Sequence, residues 1–171
     1  MPRMSVAVRP PPVVAARVAA FERPTLTGVR WSTPDQWLVK LRPLGYVDLD
    51  LAEPLGEALE AELDGATPVR CTLGPSTRRM SDWLWAPVAG LDELAAAAMD
   101  ATVGLVPVTH PQPFRAFLTL ATGRVPKELD GLPIAAAWTA TEVALVADRS
   151  APGRPRFEDL AVIELGEPAP R

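Results

Sequence analysis

Two stretches of this chain have the same build, and together they restrict the folds that it can adopt. Residues 37–45 read W-L-V-K-L-R-P-L-G, and residues 114–123 read F-R-A-F-L-T-L-A-T-G. Each is a short apolar run that ends at glycine, which is typical of a buried strand bounded by a turn. We expect both to form strands, the first of which stops at Pro43 and Gly45.

Side chains alternate between the two faces of a strand, so the second stretch presents two different faces. We expect Phe117, Thr119 and Ala121 to share one face. Leu118 and Leu120 then point to the opposite face and into a core.

The first stretch predicts the same alternation. Leu38, Lys40 and Arg42 fall on one face, and Val39 and Leu41 fall on the other. Each stretch therefore places a pair of residues, two positions apart, on the face that is not committed to a core.

The length of 171 residues is enough for one domain with an ordinary core. We expect a single domain over residues 1–166 and a disordered tail over 167–171. The composition, 48% apolar and 22% charged, is that of a soluble globular protein. The net charge of −4 gives no general attraction for nucleic acid, although clustered arginines could still form a local basic groove.

Several features favour a cytoplasmic protein that is not bound to a membrane. The single Cys71 excludes an intrachain disulfide, which fits a reducing compartment. No stretch approaches the roughly 20 apolar residues that span a membrane. The N-terminus is interrupted by Arg9 and prolines and does not resemble a signal peptide.

Apolar spacing and turn residues predict strands interleaved with about three helices, an α+β domain built from two similar halves. A polar loop is expected over 74–82, and a hairpin loop over 148–156. The remaining elements are helices over 13–21, 51–63 and 91–101, strands over 4–8, 28–31, 68–73, 83–88 and 160–165, an extended segment over 104–108, and one strand, or two broken near Thr139, over 134–147.

The two matched stretches resemble the sequence motifs of the 2H phosphoesterase superfamily, in particular the RNA 2′,3′-cyclic phosphodiesterases, also called 2′-5′ RNA ligase-like proteins. The segments that carry the resemblance are T-P-D-Q-W-L-V-K-L-R-P-L-G at 33–45 and F-R-A-F-L-T-L-A-T at 114–122. The resemblance extends over about residues 4–165. It implies a bilobal fold, with two pseudo-symmetric βαβ-type lobes and antiparallel sheets around a central groove.

The departures from the family pattern concern the chemistry. Family members use two histidines as general base and general acid, with a hydroxyl residue two positions after each to hold the phosphate. In this chain Leu38 and Phe117 stand at the histidine positions, Lys40 stands at the first hydroxyl position, and Thr119 keeps the second. The only histidine is His110, so the chain alone cannot perform a two-histidine reaction.

Three functions remain open. The resemblance favours a catalytically inactive homologue that binds a nucleotide, an RNA end or another phosphate ester in the groove through Lys40, Arg42 and Thr119, with Leu38 and Phe117 lining it. An alternative is a cyclic phosphodiesterase in which a desolvated Lys40 acts as base. A second alternative is a protein-interaction scaffold whose groove is filled by Leu38 and Phe117.

The remaining histidine, cysteine and tryptophan residues indicate no specific function. One histidine and one cysteine provide no metal-ligand cluster, so neither a metal nor another cofactor is expected. His110 is expected in an exposed loop, and Cys71 as a small buried apolar residue. Trp83 and Trp85 alternate with a leucine, so one face of their strand carries aromatic surface, either packed in the core or available for stacking. The oligomeric state is taken as a monomer by default.

Overall fold

The structure is a computed structural model, and it describes residues 1–149 and 157–166. This part of the chain contains three α-helices, which are α1 (Pro12–Ala19), α2 (Ala52–Glu62) and α3 (Asp92–Thr102). The strands in the same part are β1 (Arg3–Val8), β2 (Val29–Trp31), β3 (Val39–Tyr46), β4 (Val69–Leu73), β5 (Arg78–Met80), β6 (Trp83–Ala89), β7 (Phe117–Gly123), β8 (Ala136–Ala140), β9 (Glu142–Asp148) and β10 (Phe157–Glu164).

The strands form two antiparallel sheets, one in each half of the fold. The first is four-stranded, in the order β10-β9-β1-β3. The second has the order β2-β7-β6-β4-β8, and β5 pairs with the first three residues of β6. Helices and antiparallel sheets therefore alternate along the chain, which confirms the predicted α+β class.

The two halves repeat one unit. In the first, β1 leads into α1 and the chain returns to pair β3 against β1; in the second, β6 leads into α3 and the chain returns to pair β7 against β6. The two stretches singled out in the sequence, β3 and β7, are thus equivalent strands of two similar lobes.

The helix α2 buries leucines that recur at every fourth position of its sequence. Leu55 and Leu59 are fully buried, and Leu63 follows just after the helix with 3% exposure. Glu57 and Glu60 face solvent on the other side. This amphipathic face packs against α3 and β10, so α2 joins elements of both lobes.

Two predicted boundaries were wrong. The first matched strand does not stop at Pro43, since β3 continues to Tyr46. A proline has no backbone N–H to donate, and it is tolerated here because β3 is an edge strand of its sheet. The segment predicted as a loop over 74–82 also contains β5, which forms a tight hairpin with β6.

The segment 104–108 forms no strand: residues 104 and 105 lie in a turn, residue 106 in a bend, and 107 and 108 are irregular. The apolar run over 134–147 forms two strands that separate at Thr141, close to the predicted break. Residues 150–156 of the predicted hairpin loop, and the predicted tail over 167–171, lie outside the described residues. Among the described helices, none has the length and apolar character required to cross a bilayer.

Candidate functional site

A groove of about 270 Å³ lies between the two sheets, where β3 approaches β7. Leu38, Lys40, Phe117 and Thr119 all line it. The structure therefore brings together four of the five residues that the sequence predicts for the site, although they come from segments about 80 positions apart in the chain.

The floor of the groove on the side of the first sheet is apolar. Leu38 is only 6% exposed and packs with Ala7, Ala144 and Val146, while Phe157 covers the cluster from the side. Leu38 is therefore part of a small second core beneath the groove, and it does not fill the groove itself.

The wall on the side of the second sheet is aromatic. The ring of Phe117 meets Trp83 edge-on, with 4.7 Å between the centroids, and Trp83 stacks on Trp85 at 4.1 Å. The indole Nε1–H of Trp83 donates to Oγ1 of Thr119 over 3.1 Å. Phe117 and Thr119 are thus both held from behind by one tryptophan.

The charge of the groove favours an anion. Lys40 and Arg30 both line it, and both are exposed. Among the described residues that line the groove, none carries a carboxylate. Lys40 and Arg30 therefore contribute positive charge to the groove wall, which attracts phosphates and carboxylates, although Asp148 lines an adjoining cavity together with Lys40.

Arg42 does not lie in the groove, which corrects the prediction that it shares a face with Lys40. Only 4% of Arg42 is exposed, and its guanidinium donates to Oγ1 of Thr102 over 2.6 Å and to the carbonyl oxygen of Val106. Burial lowers the pKa of Arg42 below its usual value. Arg42 therefore anchors the end of α3 and the loop after it, and it has no access to a ligand in the groove.

A β-bulge is the physical reason for this reversal. Ala7 of β1 pairs with Lys40 and Val6 pairs with Arg42, so the residue between them, Leu41, has no partner of its own. A bulge adds one residue to one strand and shifts the alternation of side chains beyond it. Leu41 and Arg42 consequently both face the interior.

A second bulge lies in β7. Trp85 pairs with Thr119 and Leu84 pairs with Ala121, which leaves Leu120 without a partner. Leu120 and Ala121 are both buried in the main core, but Ala121 still lines the groove, and the exposed Thr122 lines it as well. Both lobes thus carry a bulge immediately after the second residue of the matched pair, Lys40 in one and Thr119 in the other.

Ser32 joins the two lobes at the edge of the groove. Its hydroxyl accepts a hydrogen bond from Nε1 of Trp37 over 2.9 Å. It also lies 2.8 Å from the carbonyl oxygen of Thr119 and 2.9 Å from that of Leu120, to which it donates. The segment before β3 is therefore tied to the backbone of β7 beside the groove.

Arg30 and Ser32 also line the groove, and neither is predicted by the two motifs. Both lie in or beside β2, a three-residue strand that pairs with the end of β7. Their closeness to the motif residues depends on this pairing, which a short polar segment does not reveal. One signal was present, because Ser32 directly precedes the T-P segment of the first motif.

His110 lies outside the groove lining, in the exposed loop before β7. Its Nδ1 is 3.1 Å from Oγ1 of Thr109. The structure thus agrees with the predicted exposed loop position. Cys71 is fully buried, also as predicted, and burial raises the pKa of its thiol. The described residues contain no group of three or more histidine, cysteine or acidic side chains arranged to hold a metal ion.

Two lobes that place equivalent strands on opposite sides of one groove define the fold of the 2H phosphoesterases, and this chain has that fold. No protein-family model matches the chain, and no curated protein matches it in sequence. The bilobal fold that the resemblance implies is nevertheless confirmed by solved structures.

The protein TT0787 of Thermus thermophilus superposes with a TM-score of 0.81 at 22% identity, covering 95% of this chain and 97% of that one. E. coli LigT complexed with 3′-AMP gives a TM-score of 0.78 at 20% identity, covering 96% and 98%. The MHV ns2 PDE domain gives 0.62 at 12% identity, covering 86% and 99%. LigT has also been crystallised with NADP+, ATP and phosphate.

Proposed function

We propose that this protein binds a phosphate ester in its central groove, namely a nucleotide, an RNA end or a related compound, and that it does not hydrolyse the ester by the two-histidine reaction. The observation that carries the proposal is the groove itself. It places Lys40 and Thr119 on facing strands, and it is also lined by Leu38 and Phe117, the residues that the motif resemblance aligns with the two histidines.

The groove chemistry supports binding of an anion. Lys40 provides a point charge with three donors, the Thr119 hydroxyl provides a fourth, and Arg30 adds a planar guanidinium at the rim. The LigT structures with 3′-AMP, ATP and phosphate show that this fold accepts phosphate-bearing ligands. The same class of ligand is therefore the one that we assign to this chain.

The shape of the groove distinguishes this proposal from the alternatives. A scaffold with a closed groove requires Leu38 and Phe117 to fill it, but Leu38 packs into the floor and about 270 Å³ remains open between the lining residues. A lysine base requires a desolvated amine, but Lys40 is exposed. Both observations favour a binding groove.

The test combines hydrolysis and binding on the same samples. The full chain is incubated with 2′,3′-cyclic AMP to measure turnover, and its melting temperature and affinity are measured with 3′-AMP. We expect no turnover, a rise in melting temperature, and an affinity that falls about tenfold to a hundredfold in Lys40→Ala, because a charge-assisted contact is lost.

Lys127→Ala is the matched control, since Lys127 is the other lysine of the sequence and is exposed outside the groove lining. It should bind 3′-AMP like the parent. Absence of binding by the parent would contradict the proposed function. Turnover that disappears in Lys40→Ala would instead favour the lysine-based phosphodiesterase.

A further inference from the structure

Trp83 contacts two groove residues at once, although it does not itself line the groove. Its indole nitrogen donates to Thr119 over 3.1 Å, and its ring meets Phe117 at an interplanar angle of 78°. Trp83 lies on β6, next to β7, and is partly buried. A single side chain therefore fixes the hydroxyl and the aromatic ring that face the ligand space.

The direction of this hydrogen bond determines what Thr119 can do. An indole N–H can only donate, so Thr119 Oγ1 accepts, and one of its lone pairs is occupied. Among the described residues, the hydroxyl donates to no acceptor of its own. Its proton is consequently left for an oxygen in the groove, and an anionic oxygen is the strongest acceptor for it.

Packing keeps the indole in this orientation. One side of Trp83 stacks on Trp85 with an interplanar angle of 22°, and Phe117 packs against it edge-on. Rotation of Trp83 about its side-chain bonds would break the stack, the edge contact and the hydrogen bond together. The geometry at Thr119 is thus set before any ligand arrives, which reduces the ordering that binding requires.

We propose that Trp83 is a positioning residue for the phosphate site: it orients the Thr119 hydroxyl so that its proton is donated to a ligand oxygen, and it holds Phe117 in the groove wall. This inference rests on the proposed function, because it presumes a phosphate ester between Lys40 and Thr119. It adds a residue that belongs to neither matched stretch of the sequence.

The first variant is Trp83→Phe, which keeps an aromatic ring in the stack and removes the N–H donor. We expect the dissociation constant for 3′-AMP, measured by calorimetry at fixed ionic strength, to rise about threefold to tenfold, the usual effect of one hydrogen bond. The matched control is Trp138→Phe. Trp138 is a buried core indole that does not line the groove, and its Nε1 has no hydrogen-bond partner among the described residues, so Trp138→Phe removes no hydrogen bond and should leave the affinity unchanged.

A double-mutant cycle separates positioning from general loosening of the fold. If Trp83 acts through the hydroxyl, Trp83→Phe weakens binding in the parent but not in Thr119→Val, where the hydroxyl is already absent. In spectra of ¹⁵N-labelled protein without ligand, Thr119→Val should shift the indole N–H signal of Trp83, which is identified by its loss in Trp83→Phe.

The measurements distinguish failure of the positioning role of Trp83 from failure of the proposed phosphate-ester binding. Unchanged affinity in Trp83→Phe, or an equal loss in the Thr119→Val background, would overturn the positioning role while the parent still binds 3′-AMP. If the indole N–H signal of Trp83 does not shift in Thr119→Val, the positioning role is overturned as well. Failure of the parent to bind 3′-AMP would refute the proposed function, and the positioning role with it.

Discussion

The β-bulge at Leu41 turns the side chain of Arg42 into the interior, whereas a regular strand would place it in the groove. A buried guanidinium is costly unless its donors are satisfied, and Arg42 has Thr102 and the carbonyl of Val106 as partners. Thr102 in turn donates to the carbonyl oxygen of Ala98 over 2.6 Å, inside α3. The arginine therefore links β3 to the end of α3, and its contribution is to stability rather than to binding.

Arg42→Ala should lower the free energy of unfolding by about 2 to 4 kcal/mol, because it leaves the buried Thr102 hydroxyl and the partly buried Val106 carbonyl without this donor and removes the packing of the side-chain stem. Chemical denaturation with urea measures this. Arg42→Met should cost less, since it retains much of the stem.

Two controls make the prediction for Arg42 specific. Arg115→Ala changes an exposed arginine just before β7 and should stay within about 0.5 kcal/mol of the parent. The affinity of Arg42→Met for 3′-AMP should equal that of the parent. If Arg42→Met is folded and yet binds 3′-AMP clearly more weakly, Arg42 contributes to the binding site, and its assignment as a purely structural residue is wrong.

At the scale of elements, the sequence predicts which segments are strands and helices better than it predicts where their side chains point. The apolar pattern finds β3, β7 and α2, because burial of leucine and valine is a strong periodic signal. The bulges after Lys40 and Thr119 leave no such signal, since either register would bury apolar side chains. Leu41 and Leu120 would suit a regular strand equally well.

One local clue was available. Pro43 stands inside β3, and a proline within a strand indicates an edge or a bulge, whereas the sequence analysis took it as the end of the strand. The short strands β2 and β5 were harder to assign, because their stability comes from pairing with β7 and β6 rather than from their own residues. Arg30 lines the groove because β2 pairs with β7, and since β2 lies outside both motifs, the motifs do not predict it.

Helix α2 provides the prediction at this scale. Leu59→Ala should lower the free energy of unfolding by about 2 to 5 kcal/mol, because Leu59 is fully buried where α2 packs between α3 and β10. Glu60→Ala, one position further along the same helix and exposed, should be close to neutral, since alanine is a good helix former. Equal effects in urea denaturation would mean that the buried face of α2 is misassigned.

At the scale of the whole molecule, the pseudo-symmetry of the two lobes determines what the groove can do. Leu38, directly before β3, and Phe117, the first residue of β7, hold equivalent positions in the two matched stretches, and the sequence predicts both because each is framed by matching residues. Neither leucine nor phenylalanine has a titratable group, so neither side chain can accept or donate a proton in catalysis. In the family that the two motifs resemble, these positions carry the general acid and the general base, whereas in this sequence both are apolar.

This view predicts that activity can be introduced by restoring the family pattern. Leu38→His, Phe117→His and Lys40→Thr together should give hydrolysis of 2′,3′-cyclic AMP at a rate at least about a hundredfold above that of the parent. A positioned general acid or base contributes roughly 10²- to 10⁴-fold, and both are required on opposite sides of the substrate. Each histidine substitution alone should remain near background.

The matched control replaces the same three residues with glutamine, glutamine and threonine, which are polar at the histidine positions but do not titrate between pH 5 and 8. It should bind 3′-AMP and remain inactive. The histidine variant should also show a bell-shaped dependence of rate on pH, because one imidazole must be neutral and the other protonated. A histidine variant that is folded, binds 3′-AMP and yet shows no turnover would mean that the groove differs from an active site in more than its two missing imidazoles, and the search for the difference would then begin at Lys40 and the bulge that follows it.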